Sequence, residues 1–215
     1  MQERSLWRRV VASYVSPHAF APHTRAALEG AGYRIVPAAT RGRFDDDSWE
    51  PDVRIVDERH LDRLPAEPYL PRTPVIVLTG PRPRQCSDRR VVAQIARPAG
   101  LDALYPALQE ALEDTPRRSV RTSVRLPARC TRSDRRWVGA IVSLSKGGCF
   151  LNTSADLDAG LDLNLVFPLP VERMISTRAR VLHRFADGAR LEFTKTPPET
   201  EAIVSSYVHS QLATR

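Results

Sequence analysis

Eight arginines lie between Arg117 and Arg136, and Asp134 is the only acidic residue among them, so this segment carries the whole net charge of +7. Guanidinium groups bind phosphates through paired hydrogen bonds and stack on purine faces. Arg117 and Arg121 can lie about 13 Å apart in an extended chain, and Arg118 adds a third guanidinium between them. The sequence therefore predicts an arm that binds a nucleotide-sized anion, just ahead of the first strand of the second half.

A group of small polar residues, Ser143-Leu144-Ser145-Lys146-Gly147-Gly148, follows at the end of a predicted strand. Hydroxyls and glycines of this kind let a base approach the backbone, and glycine permits a bend. This motif and the arm together resemble the PilZ domain family, whose members bind the bacterial second messenger cyclic di-GMP through Arg-x-x-x-Arg followed by Asp/Asn-x-Ser-x-x-Gly. The resemblance covers about residues 115–212. It implies six ligand-binding residues: Arg117, Arg118, Arg121, Ser143, Ser145 and Gly148.

Ser143 departs from the family motif, because it stands where the family has Asp or Asn. A carboxylate accepts both N–H groups on one edge of guanine, whereas one hydroxyl cannot. We expect this change to cost about 1–3 kcal/mol of binding, or roughly ten- to hundredfold in affinity.

The hydrophobic period in the second half is two, which is typical of half-buried strands. Six short strands in about 80 residues predict an antiparallel barrel, closed by a helix over about 199–212 and with a hairpin turn at Asp187-Gly188. We assign residues 114–215 to this domain. The strands are predicted over Val124–Cys130, Val138–Leu144, Cys149–Asn152, Leu161–Leu169, Ile175–His183 and Ala189–Phe193.

Apolar runs alternate with helical stretches in residues 1–113, which predicts a flavodoxin-like parallel sheet covered on both faces. The helices are predicted over Pro22–Ala31 and Leu101–Glu113. The strands are predicted over Val10–Val15, Tyr33–Val36, Pro51–Asp57, Pro74–Thr79 and Val91–Ala96.

Asp57, Thr79 and Arg97 make this first half resemble a response-regulator receiver domain, with Asp57 at the place of the phospho-accepting aspartate and Arg97 at that of a lysine. A receiver also needs an acidic pair after its first strand to hold magnesium, and this chain has Ser13-Tyr14-Val15-Ser16 there. Asp45-Asp46-Asp47 is an alternative source of carboxylates. We expect a receiver-like domain without phosphotransfer, in which Asp57 caps the loop after its strand.

Other features exclude several classes of function. The chain has no run of 18 apolar residues and no apolar leader at its start, so we expect a cytoplasmic protein without membrane contact. Cys86, Cys130 and Cys149 have no metal-ligand spacing and fit a reducing compartment. Neither the five histidines nor Cys149 have partners that would form a metal site or a catalytic group. We expect no enzyme activity and no cofactor other than the ligand.

The leading hypothesis is a cyclic di-GMP receptor in which the ligand orders the Arg117–Arg121 arm and changes domain orientation or partner binding. We expect a downstream protein partner and a homodimer formed through the receiver-like domain. One alternative is a PilZ fold that has lost its ligand and acts as a protein-interaction adaptor. Another is a basic nucleic-acid-binding module, which the scarcity of outward aromatic residues makes less favoured. A third is a receiver regulated through Asp57 with a PilZ output.

Overall fold

A computed structural model of the chain describes residues 9–38, 51–64, 73–83, 86–113, 116–133, 135–170 and 173–214. The chain divides into two compact units. The first comprises Met1–Arg118 with Leu212–Arg215, and the second comprises Ser119–Gln211.

The first unit contains a five-stranded sheet in which every pair of neighbours is parallel. The strand order is β2-β1-β3-β4-β5, which is the flavodoxin-like doubly wound order. The predicted parallel sheet is therefore confirmed. Its strands are β1 Arg9–Ser13, β2 Tyr33–Pro37, β3 Val53–Asp57, β4 Val75–Thr79 and β5 Val91–Ala96, and its helices are α1 Thr24–Gly30 and α2 Leu101–Leu112.

The central strands β3 and β4 are buried along their whole length, which explains why their sequences are continuous apolar runs. β3 begins two residues later than predicted. The carboxylate of Asp52, just before it, accepts a hydrogen bond from the Val10 N–H at 2.6 Å, and Pro51 has no N–H to donate. A 3-10 helix over Glu58–Arg63 follows β3 and was not predicted. The triplet Asp45–Asp47 lies outside the described residues.

The second unit is a closed barrel of six strands in the order β10-β11-β8-β7-β6-β9, with all neighbours antiparallel. The predicted barrel is confirmed, and so is the helix that follows it. The elements are β6 Arg121–Arg132, β7 Arg135–Ser145, β8 Gly148–Asn152, β9 Asp162–Leu169, β10 Arg173–Phe185, β11 Gly188–Lys195 and α3 Pro198–Ala213.

Alternating apolar residues fill the barrel as the period of two predicts. Along β9 the side chains of Leu163, Leu165, Phe167 and Leu169 are buried and alternate with more exposed neighbours. The predicted hairpin turn is one residue off, because Gly188 already pairs with Phe185 as the first residue of β11. A Cβ at Gly188 would lie 2.1 Å from the Leu151 carbonyl oxygen, so the glycine is needed for close packing of β11 on β8.

Two side chains of the first turn of α3 make ion pairs with the barrel. Glu201 Oε1 lies 3.0 Å from Lys146 Nζ, at the β7–β8 turn, and Glu199 Oε1 lies 3.7 Å from Arg173 Nη1. Val204 and Val208 on this helix are buried. No helix among the described residues is long and apolar enough to cross a membrane.

Candidate functional site

The pairing of β6 with β7 brings the two polar motifs of the sequence together. Arg121 lies opposite Ser145, and Ser123 lies opposite Ser143. Residues directly opposite each other in antiparallel strands have Cβ atoms about 5 Å apart. β6 begins at Arg121 rather than at Val124 as predicted, so Arg121 is a strand residue and not part of a preceding arm.

Irregular pairing around Val142 sets this register. Between the pairs Ser123–Ser143 and Leu126–Ile141, β6 contains two residues and β7 contains only Val142. The pairing of β7 with β8 is also shifted between Ile141 and Ser143. Bulges of this kind bend a strand and redirect the side chains beside them, and here they immediately precede Ser143, which is half-buried.

The segment ahead of β6 is held by a backbone hydrogen bond, while the guanidinium groups of Arg117 and Arg118 stay exposed. The Arg117 N–H donates a hydrogen bond to Gln109 Oε1 at 3.2 Å, and Gln109 Nε2 donates to the Tyr33 hydroxyl at 2.6 Å. Arg117 and Arg118 are exposed, and Val120 is buried. Burial raises the pKa of Tyr33 above its ordinary value, so its hydroxyl stays protonated.

The β7–β8 turn gives Ser145 and Gly148 a structural role. The Ser145 hydroxyl is 2% exposed and donates to the Gly148 carbonyl at 3.0 Å, across the two-residue turn Lys146-Gly147. A Cβ on Gly148 would lie 2.2 Å from the Leu191 carbonyl oxygen. Both residues therefore fix the turn and its packing on β11, and their contact with a ligand stays a prediction.

Asp57 lies at the carboxyl end of β3 and is 5% exposed. Arg59 donates to it from Nε at 2.9 Å, from Nη2 at 2.9 Å and from its backbone N–H at 3.0 Å, and Arg97 donates from Nη1 at 2.6 Å. The hydrogen bonds from Arg59, aided by the charge of Arg97, lower the pKa of Asp57 from 3.8 to about 2. As expected, the carboxylate caps the loop after its strand, since it is the N-cap of the 3-10 helix.

Within the part of the chain that the structure describes, Asp57 lies beside arginines and not in a cluster of potential metal ligands. Both carboxylate oxygens already accept hydrogen bonds from guanidinium groups. Ser13 ends β1 and is 4% exposed, but it offers no carboxylate. Nowhere in the described ranges do three His, Cys, Asp or Glu side chains come close enough to hold a metal ion. The absence of phosphotransfer at Asp57 stays a prediction.

Cys149 is a buried strand residue, as expected, and not an exposed nucleophile. It is 0% exposed, and burial raises the pKa of its thiol far above the ordinary value. Burial also raises the pKa of Cys130 to about 12. Neither thiol is a thiolate at neutral pH.

Gln109 is a site residue that the sequence analysis did not identify. It lies on α2 one residue after Leu108, beside the apolar stripe that predicted this helix. An amide next to such a stripe is a signal for a buried hydrogen bond, but its partners, Tyr33 and Arg117, come from distant parts of the chain.

Residues 115–210 match the model of the PilZ domain family. Residues 115–210 therefore form a PilZ domain, and the predicted family resemblance of this part of the chain is confirmed. The match does not extend to the first unit, for which the receiver resemblance stays a prediction.

Several solved structures are similar to a part of the chain. The inhibitor of motility MotI/DgrA of Bacillus subtilis is 20% identical, with a TM-score of 0.43, over 47% of this chain and 53% of its own. The PilZ domain of YcgR from Escherichia coli, solved with c-di-GMP, is 14% identical, with a TM-score of 0.40, over 45% and 92%. The PilZ domain of CeSA from a cellulose-synthesizing bacterium is 17% identical, with a TM-score of 0.36, over 42% and 95%. No curated protein matches the chain.

Proposed function

We propose that this chain is a non-enzymatic receptor for cyclic di-GMP, which binds where β6 begins and β7 ends. The observation that carries the proposal is the strand register, in which Arg121 lies opposite Ser145 at the end of the β6–β7 pair. The PilZ match over residues 115–210 supports the same site.

The residues of this site have different roles in the proposal. Arg117, Arg118 and Arg121 pair with the two phosphodiester groups and stack on the guanines. Ser143 is half-buried and hydrogen-bonds to a guanine edge. Ser145 and Gly148 hold the β7–β8 turn in shape under the ligand.

The arm supplies the response to the ligand. Arg117 and Arg118 precede β6 in the chain and Arg121 is its first residue, so a ligand that binds all three constrains the segment that joins them. Such a ligand shifts the equilibrium between the ordered arm and the arm without ligand order only by the difference in its affinity for these two states. The outcome in this proposal is a new domain orientation or a new surface for a downstream protein, in a cytoplasmic protein that dimerises through its first unit.

Isothermal titration with cyclic di-GMP tests the proposal. Two variants that each lose one arginine then test which position the ligand contacts. Arg121→Ala removes a charge-assisted contact, so affinity should fall about tenfold or more. Arg129→Ala removes an arginine that is also on β6 and is exposed, and affinity should stay within about twofold. No heat of binding at high micromolar ligand, or equal losses in the two variants, would overturn the proposal.

The outer face of the barrel favours nucleic-acid binding as the second candidate function. Arg125, Arg129, Arg132, Arg135 and Arg136 are all exposed on β6 and β7. Binding through them would be salt-sensitive and indifferent to base sequence. A mobility shift with generic RNA that weakens as much in Arg129→Ala as in Arg121→Ala, and that cyclic di-GMP leaves unchanged, would favour this candidate.

A further inference from the structure

A groove of about 420 Å³ lies on the outer face of the barrel, across β6, β9, β10 and β11. None of the six residues assigned to the cyclic di-GMP site lines it. Its charged and amide lining residues are Arg132, Asp162, Asn164, Arg178, Arg180 and Lys195.

The single acidic side chain among these lining residues is already neutralised. Asp162 Oδ1 lies 2.9 Å from Arg180 Nε, and Asp162 Oδ2 lies 3.0 Å from Arg180 Nη2. The hydrogen bonds from Arg180 lower the pKa of Asp162, and the charges of Arg132 and Arg178 lower it further. At neutral pH the pair contributes no net charge to the groove.

Three cations remain in the groove: Arg132, Arg178 and Lys195. Within the described ranges none of them forms a salt bridge. Arg178 lies directly opposite Lys195 in the β10–β11 pairing, and like charges at such positions destabilise a sheet. An anion between them removes that repulsion.

The other lining groups favour a phosphate-rich anion over a base. Asn164 lies opposite Arg178 on β9, so its amide is beside the cations, and Thr131 and Thr194 add hydroxyls. None of the described lining residues is aromatic, and the apolar Leu163 among them is only 4% exposed. Guanidinium, ammonium, amide and hydroxyl donors are the groups that phosphate oxygens accept from.

We propose that this groove binds a small anion with a diphosphate group, either inorganic diphosphate or the end of a nucleotide. The site is independent of the arm and of cyclic di-GMP. Arg178 makes the central contact, because it lies between Asn164 on one side and Lys195 on the other.

Titration of the full chain with inorganic pyrophosphate tests the proposal. Arg178→Gln should weaken binding about tenfold or more, since it removes a charge-assisted contact. Lys195→Gln should weaken it in the same direction. Arg190→Gln is the matched control, because Arg190 is an exposed arginine on β11 that does not line the groove, and it should change affinity less than about twofold. All three positions are exposed, so folding should be kept.

Three results would overturn the proposal: no binding of pyrophosphate at millimolar concentration, equal losses in Arg178→Gln and Arg190→Gln, or displacement of pyrophosphate by cyclic di-GMP. Titration with ADP distinguishes inorganic diphosphate from the diphosphate end of a nucleotide as the bound anion. Similar affinities for ADP and pyrophosphate support recognition of the diphosphate itself, whereas binding of ADP alone contradicts it. Arg121→Ala should bind pyrophosphate like the unaltered chain, so failure at the proposed cyclic di-GMP site and failure at the groove are distinguishable.

Discussion

The carboxylate of Asp57 accepts hydrogen bonds from two arginines at once, and its replacement should lower the stability of the first unit in a pH-dependent way. Asp57→Asn keeps the size of the side chain but removes its charge. Arg97, which is 25% exposed in its side chain, then loses its closest carboxylate, and Arg59 loses its paired contact.

The magnitude follows from the pKa of Asp57, which the protein lowers from 3.8 to about 2. That difference corresponds to roughly 2 kcal/mol of folding free energy. Because the Arg59 side chain is 65% exposed, solvent screens part of the interaction, and we expect between about 1 and 2 kcal/mol. The folded-state pKa lies below the unfolded one, so this stabilisation is complete above about pH 5 and is lost as the pH falls through 4 toward 2.

Amide hydrogen exchange measures this effect in one unit at a time. In Asp57→Asn the amides of β3 and β4 should exchange about five- to thirtyfold faster at pH 6–7 relative to the unaltered chain, while those of β8 in the barrel should not change. The difference should shrink as the pH is lowered to 3 and below. A difference that is the same at pH 6 and pH 2.5, or is absent at both, would refute the reasoning.

Asp88→Asn is the matched control for this experiment. Asp88 accepts hydrogen bonds from the backbone and the side chain of Arg90, two residues further on, just as Asp57 does from Arg59. Arg97 is the group that distinguishes Asp57 from this local pattern. Asp88→Asn should therefore leave the exchange of β3 amides closer to that of the unaltered chain than Asp57→Asn does.

Three other predictions concern the arm, the motif and the thiols. Ser143→Asp should tighten cyclic di-GMP binding about ten- to hundredfold by restoring a carboxylate at the guanine edge, whereas Ser123→Asp, on the opposite strand, should not; titration of both variants checks this. Gln109→Leu should speed hydrogen exchange of the Arg117 amide roughly fivefold or more, because it removes the acceptor of that N–H. It should also lower the affinity for cyclic di-GMP a few-fold, because a freer arm must be ordered on binding. Unchanged exchange of the Arg117 amide would contradict this prediction. A thiol reagent should modify Cys86 in the folded chain but Cys130 and Cys149 only after unfolding, since both are buried and the pKa of each is raised.

The strands and their faces could be predicted because burial leaves a direct trace in the sequence. The continuous apolar runs of β3 and β4 and the alternation along β9 each reflect which side chains are buried. The register between strands leaves no such trace. The irregular pairing around Val142 occurs within an ordinary alternating sequence, and it decides that Ser143 lies opposite Ser123.

Interactions between distant residues were the other feature that sequence patterns could not predict. Asp57 could be predicted to cap its loop, because the cap is local. Its contact with Arg97 spans 40 residues. It depends on the strand order β3-β4-β5, because Asp57 ends β3 and Arg97 follows β5. The groove likewise combines two or three residues from each of four strands, and no spacing in the sequence connects the four groups.

Four of the six residues of the proposed cyclic di-GMP site fall into two groups: two shape the barrel and two face solvent. Ser145 and Gly148 are buried, and a side chain at Gly148 would collide with β11. Selection for the fold alone would therefore keep both, with or without a ligand. Arg117 and Arg118 are exposed, and exposed charges contribute little to stability. Retention of the fold thus gives no reason for arginine at these two positions, whereas the proposed anion binding would. Substitutions there test that proposal without the loss of structure that changes at Gly148 would bring.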